Sequence, residues 1–161
     1  MNLAPFQDFL IACVGASASF IGLLFVALSL VLARDDDAGV GALEFTDRRL
    51  AESAFTALAN VFFVSLVALM PDTNIGWVAL VMALVGLRSS WRLYARAKKA
   101  RKEAFWISAS SLVYLVEGIY AAAILLQPMS VTDLNVITSM LIVLFGGGLI
   151  RSWELTGIRA S

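Results

Sequence analysis

Residues 104–127, AFWISASSLVYLVEGIYAAAILLQ, decide how this chain folds. A hydrocarbon core about 30 Å thick needs about 20 predominantly apolar residues to cross it as a helix. This stretch supplies them and carries Glu117 in its interior. A carboxyl group at that depth is costly. The rest of the chain must therefore give it a proton, a partner, a cation or a water-filled cavity.

Four more apolar stretches accompany it, so the expected helices are 10–33, 50–70, 75–93, 104–127 and 134–152. The 161 residues are 60% hydrophobic and 15% charged, with a mean hydropathy of +0.86. Soluble domains have about 45–50% apolar and about 25% charged residues. The expected fold is an all-α integral membrane protein, a single transmembrane domain spanning 1–161. Residues Met1 to Phe9 hold no Lys or Arg and lack the basic start of a secretory signal, so the first span is read as a retained helix.

The connections between spans alternate in charge. Residues 34–49 hold Arg34, Arg48 and Arg49, and residues 94–103 hold Arg96, Lys98, Lys99, Arg101 and Lys102. Pro71–Asn74 and Pro128–Asp133 hold no basic residue. Placing basic connections in the cytoplasm puts the N-terminus outside, the C-terminus inside and all 12 Lys and Arg at or near the inner face. Trp91, Trp106 and Trp153 then fall at the inner interface and Trp77 at the outer one, where amphipathic rings settle. Arg88, near the inner end of its span, snorkels to the headgroups or pairs with Glu52.

Gly86-Leu87-Arg88-Ser89-Ser90-Trp91-Arg92-Leu93 and Gly148-Leu149-Ile150-Arg151-Ser152-Trp153-Glu154-Leu155 end the third and fifth spans and match at Gly, Leu, Ser, Trp and Leu. The second and fourth spans both open with basic residues, a Glu (Glu52, Glu103) and a Phe (Phe55, Phe105), and stop at Pro71 and Pro128. Residues 48–93 and 101–155 thus read as two parallel in-out-in hairpin repeats after a first helix. Recurrence of interfacial residues at two similar helix ends would leave the same trace.

Asn60 and Glu117 each stand eleven residues before the proline that ends their span. They are counterparts, and at 1.5 Å per residue both lie near the bilayer midplane. Glu52, Thr56 and Asn60 form one polar stripe, and Ser110, Tyr114 and Glu117 another. In a dry site the carboxyl group is neutral and shares its proton with Asn60, Tyr114 or Tyr120; in a wet one it is ionised and draws cations. These six stripe residues are the candidate ion pathway. A protonated carboxyl that holds helices together accounts for Glu117 equally well.

In the first span Ala12, Gly15, Ser19, Gly22, Val26, Ser29 and Ala33 recur at steps of three and four. Such a small-residue stripe suits a close helix–helix face within the chain or between subunits, or a pore lining to which Ser19 and Ser29 offer hydroxyls. Gly146-Gly147-Gly148 suits close packing or a flexible point. Arg96, Lys98, Lys99, Arg101 and Lys102 suit anionic lipid headgroups. Asp35-Asp36-Asp37 with Glu44 lacks the pattern of a calcium loop and reads as a solvated acidic segment.

The segment Gly15-Ala16-Ser17-Ala18-Ser19-Phe20-Ile21-Gly22-Leu23-Leu24-Phe25-Val26-Ala27-Leu28-Ser29 resembles the first helix of an uncharacterised family of small multi-pass bacterial membrane proteins. The resemblance is confined to that helix and implies a bacterial inner-membrane location.

The chain has no His and one Cys, Cys13, within an apolar span. Histidine-based metal sites and catalytic triads are thereby excluded, as is an internal disulfide. No enzyme activity, cofactor, metal or nucleic-acid partner is expected. The leading functional expectation is a homo-oligomeric channel or ion-conducting protein, its pore between protomers, with ions or protons passing at or beside Glu117. The alternatives are a non-conducting accessory or scaffold subunit and a small secondary transporter.

Overall fold

A computed structural model of the chain describes residues 4–38, 45–71, 73–94, 101–127 and 130–157, with side chains described for 6–29, 51–71, 73–92, 108–127 and 130–153. These residues form five helices: α1 (Ala4–Ala38), α2 (Phe45–Ala68), α3 (Ile75–Tyr94), α4 (Arg101–Leu126) and α5 (Val131–Gly157). Each contains the core of an expected span and most run further into polar sequence. The apolar count stops where the hydrocarbon would stop, but backbone hydrogen bonding continues as long as no residue opposes it.

Local chemistry fixes the short turns. α2 closes earlier than expected, with Leu69 N–H donating to Leu66 O at 3.2 Å and Met70 N–H to Val67 O at 3.0 Å, a tightened turn ahead of Pro71, which has no N–H to continue the ladder. Asn74 Oδ1 accepts the Gly76 N–H at 2.9 Å and caps α3. At α5, Ser130 N–H and Oγ–H donate to Asp133 Oδ2 at 2.9 and 2.7 Å, and Asp133 N–H donates to Ser130 Oγ at 3.1 Å. This reciprocal cap starts α5 at Val131 rather than at residue 134.

Four helices hold a described stretch long and apolar enough to cross a membrane: Phe6–Ser29, Ala51–Ala68, Ser108–Leu126 and Val131–Trp153. The chain is a multi-pass membrane protein by this measure, one span short of the five expected. α3 is the exception, because Arg88 and Arg92 interrupt its final turns. Large apolar side chains such as Leu84, Leu112, Ile119, Ile142 and Ile150 point outward. A surface of that kind is a liability in water and ordinary against lipid tails.

The helices alternate in direction. Gly76 of α3 lies beside Ala121 O and Leu125 of α4, while Gly148 of α5 lies beside Ala54 O and Leu58 of α2. α2 and α4 do not pack on each other directly; each lies between α3 and α5, so the four make a ring, and α1 covers α2 from outside. One end of the ring, where α2 and α4 begin, carries Arg88, Arg92 and Arg151 and is here termed the basic end. The other is closed by the two short turns.

Three glycines set how closely the ring closes, Gly76 among them, where a Cβ would stand 2.9 Å from Ala121 O. A Cβ on Gly86 would clash with Tyr114 Cδ1 and Cε1, and one on Gly148 would stand 3.0 Å from Leu58 Cγ. Gly86→Ala is therefore expected to cost about 1–3 kcal/mol by overpacking against a rigid ring, and Gly148→Ala less, since Leu58 can turn aside. Gly147→Ala, with no outside atom within 4 Å of its Cβ position, should be neutral or stabilising. Reversible unfolding of the three variants in detergent micelles checks the order.

Candidate functional site

Asn60 and Glu117 are both 0% exposed. They meet across the ring, with Asn60 Nδ2 donating to Glu117 Oε2 at 2.8 Å. Neither Tyr114 nor Tyr120 takes that place. Asn60 Oδ1 and Glu117 Oε1 have no hydrogen-bond partner among the described residues. The pairing thus satisfies one oxygen of the carboxyl group and leaves two buried acceptors over.

The α4 stripe faces this interior. Ser110, Tyr114 and Glu117 lie within about 60° of one another around a helix of 3.6 residues per turn. Tyr114 is buried, its ring admitted by Gly86, and it lies within electrostatic reach of both Glu117 and Arg151. Arg151 of α5 donates through its guanidinium to Ser110 Oγ. Two hydrogen-bonded pairs, Arg151 with Ser110 and Asn60 with Glu117, thus flank Tyr114 along this interior.

The α2 stripe divides. Steps of four residues turn a helix by about 40° each, so Glu52 faces a different neighbour from Asn60. Glu52 is exposed and lines an open cleft of 290 Å³ with Leu24, Phe25 and Leu28 of α1 and Ala51 and Phe55 of α2. Thr56 Oγ1 donates to Glu52 O at 2.7 Å. The residue of α2 that does share the Asn60 face is Ser53, buried one heptad earlier. It was not singled out from the sequence, yet Ser53 and Asn60 repeat the seven-residue spacing of Ser110 and Glu117.

Arg88 is exposed, so its guanidinium is no buried partner for Glu52. The α1 stripe also differs from a packing face within the chain. Ala12, Gly15, Ser19, Gly22, Val26 and Ser29 are all exposed, and no outside atom lies within 4 Å of a Cβ built on Gly15 or Gly22. α1 packs instead through Leu10, Ser17 and Leu24, whose bulkier, seven-residue series fits the α2 groove. Ser19 and Ser29 donate to Gly15 O at 2.9 Å and Phe25 O at 2.8 Å, within their own helix. Residues 95–100, with Arg96, Lys98 and Lys99, and the side chains of Arg101 and Lys102 lie outside the described residues, as do Glu44 and the side chains of Asp35, Asp36 and Asp37.

A pore between protomers would not be lined by Glu117, which the chain's own ring encloses. Its carboxyl group can hold a proton, accept a hydrogen bond or hold a charge only inside one protomer.

Asn60→Ala removes the one donor to the carboxyl group and should cost about 1–2 kcal/mol, the range for lost polar contacts between membrane helices and for stranded buried acceptors. Glu117→Gln keeps an acceptor for Asn60 and should cost less. Unfolding of both single variants and the double variant in micelles gives the coupling energy of the pair. No protein-family model, curated protein or solved structure matches the chain.

Proposed function

We propose that the chain is a homo-oligomeric ion-conducting protein of the bacterial inner membrane, all five helices crossing, with Glu117 in the pathway. The observation that carries this reading is the buried carboxyl group with one unpartnered oxygen. A residue kept only as helix glue gains by satisfying both oxygens, whereas an ion-handling group needs one in reserve. The pathway past Glu117 then runs through the interior of each protomer.

Self-association finds support in α1. Its outward side sets Gly15, Ser19 and Gly22 among the exposed Ile11, Leu23 and Val26, and small residues let helices approach closely in lipid. The proposed topology has the N-terminus outside and the basic end in the cytoplasm, in keeping with the positive connections. A second reading, a small secondary transporter, is favoured by the ring. α2–α3 and α4–α5 occupy corresponding places in it, and the counterparts Asn60 and Glu117 meet at its centre, as two parallel repeats around an axis along the membrane normal would bring them.

Flux of cations, protons and anions from proteoliposomes tests the reading. Wild-type protein should conduct, and Glu117→Gln should lower the flux about tenfold or more, equivalent to about 1.4 kcal/mol of barrier. Equal flux from the two, or none from folded wild type, removes Glu117 from any pathway. Gly15→Leu with Gly22→Leu should shift the mass in mild detergent from oligomer to protomer while leaving unfolding unchanged; an unaltered mass would exclude the α1 face as the interface.

A further inference from the structure

The surroundings of Glu117 are polar on one side and apolar on the other. Moving from Asn60 and Glu117 toward the basic end, the same helix faces present Ser53 and Ser110, one heptad away, with Tyr114 between and Arg151 on Ser110. Moving toward the short turns, the positions one turn and one heptad on are Val64 and Val67 on α2 and Ala121 and Ile124 on α4. Val64, Ala121 and Ile124 belong to the main apolar core with Ile137 and Leu141 of α5; Tyr114 and Leu144, on the basic side, belong to it too, and toward the short turns the buried hydroxyls are those of Ser65 and Thr138. Side chains on a helix lean toward its N-terminus, which for α4 is the basic end. The Glu117 carboxyl group therefore reaches toward Tyr114 and away from Ile124.

The donor set also limits the ion. Glu117 offers two oxygens and Asn60 one, with the amide Nδ2 already set against Oε2. Divalent cations take about six or more oxygen ligands, and potassium filters replace a whole hydration shell with carbonyls. Ala83, Gly86 and Ala121 nearby supply no side-chain oxygen. A proton asks for a single oxygen, and Glu117 Oε1 is buried and unpartnered.

Resting on the reading that Glu117 handles an ion, we propose that the ion is a proton and that in this arrangement of the helices, the closed state of the pathway, Glu117 exchanges it with the basic end of the bundle alone, through the Tyr114 and Ser110 face, behind an aliphatic seal that must part for the proton to pass. Water on the basic side gives a proton to the carboxylate, leaving the neutral acid and hydroxide; the reverse transfer restores both. Among the described residues, the charged or titratable groups near this site are Tyr114 and, one turn toward the short turns, the half-buried Tyr120 on α4, and Arg151 on α5. Glu52 of α2 is turned toward α1, Arg88 and Arg92 of α3 are exposed, and Cys13 of α1 lies by Ser65, on another side of α2 from Asn60.

Dicyclohexylcarbodiimide, which reacts with protonated buried carboxyl groups, serves as the probe. The full chain with a cleavable C-terminal tag is reconstituted in vesicles whose lumen and bath pH are set separately. Protease added outside cuts only chains with the basic end outward, so labelling of Glu117 can be read by mass in both orientations. In cut chains labelling should fall about tenfold per pH unit of bath pH above the midpoint and ignore the lumen; in protected chains the roles reverse. Glu117→Gln should abolish the label, and Ile124→Ser should make it respond to both sides.

Wild-type labelling that follows the short-turn side, both sides or neither overturns the proposal. Glu117-dependent flux with two-sided labelling overturns it while sparing the conduction reading. One-sided labelling without flux does the reverse.

Discussion

A carboxyl group in the middle of an apolar bundle forces the helices around it to answer. Leaving it unpartnered would cost several kcal/mol in a medium without water. The answer here is a single hydrogen bond of 2.8 Å from Asn60, on a helix that does not otherwise pack against α4. For the two side chains to meet, α2 and α4 must face each other across the ring with small residues around them. Gly86 lets Tyr114 in, Gly148 brings α5 down onto α2, and Ala57 and Ala83 leave the centre uncrowded. The close-packing glycines and the polar pair are parts of one requirement.

That requirement divides the molecule along its length. Toward the short turns the positions that continue the Asn60 and Glu117 faces are Val64, Val67, Ala121 and Ile124, while the buried Ser65 hydroxyl lies on another side of α2 and the Thr138 hydroxyl on α5. Toward the basic end Ser53, Ala54, Ala57 and Gly86 share the interior with Leu58, Leu144 and Tyr114, and Arg151 of α5 donates to Ser110. Strong packing at one end offsets the cost of a polar centre, and small hydroxyl side chains at the other keep that centre within reach of the interface. α1 covers α2, adds Leu10 to the core and sets Phe20 edge-on against Phe145 of α5, while its outward side is left to the membrane or to another chain.

Helix number, approximate limits and the inward stripe of α4 were legible in the sequence, since each rests on local facts. Apolar length sets a span, proline ends one, and the steps from Ser110 through Tyr114 to Glu117 hold to one face at 3.6 residues per turn. The stripe on α2 was read less well. Steps of four from Glu52 to Asn60 accumulate a rotation of about 80°, enough to hand Glu52 to α1 and to give the inward place to Ser53. The stripe on α1 was seen as a face but not as an outward one, because small residues suit close approach without naming what approaches.

The amino-acid sequence by itself determined that the chain is a helical membrane protein with a carboxyl group inside one of its apolar spans, because hydropathy and length depend only on neighbours along the chain. It also matched Asn60 to Glu117 by their equal distance from a proline. Only the tertiary structure decided that the two side chains touch, that the site is enclosed within one protomer, and that its polar side faces the basic end. Those properties depend on how helices rotate and approach one another. Rotation is settled by the whole set of packed side chains, which no single helix contains.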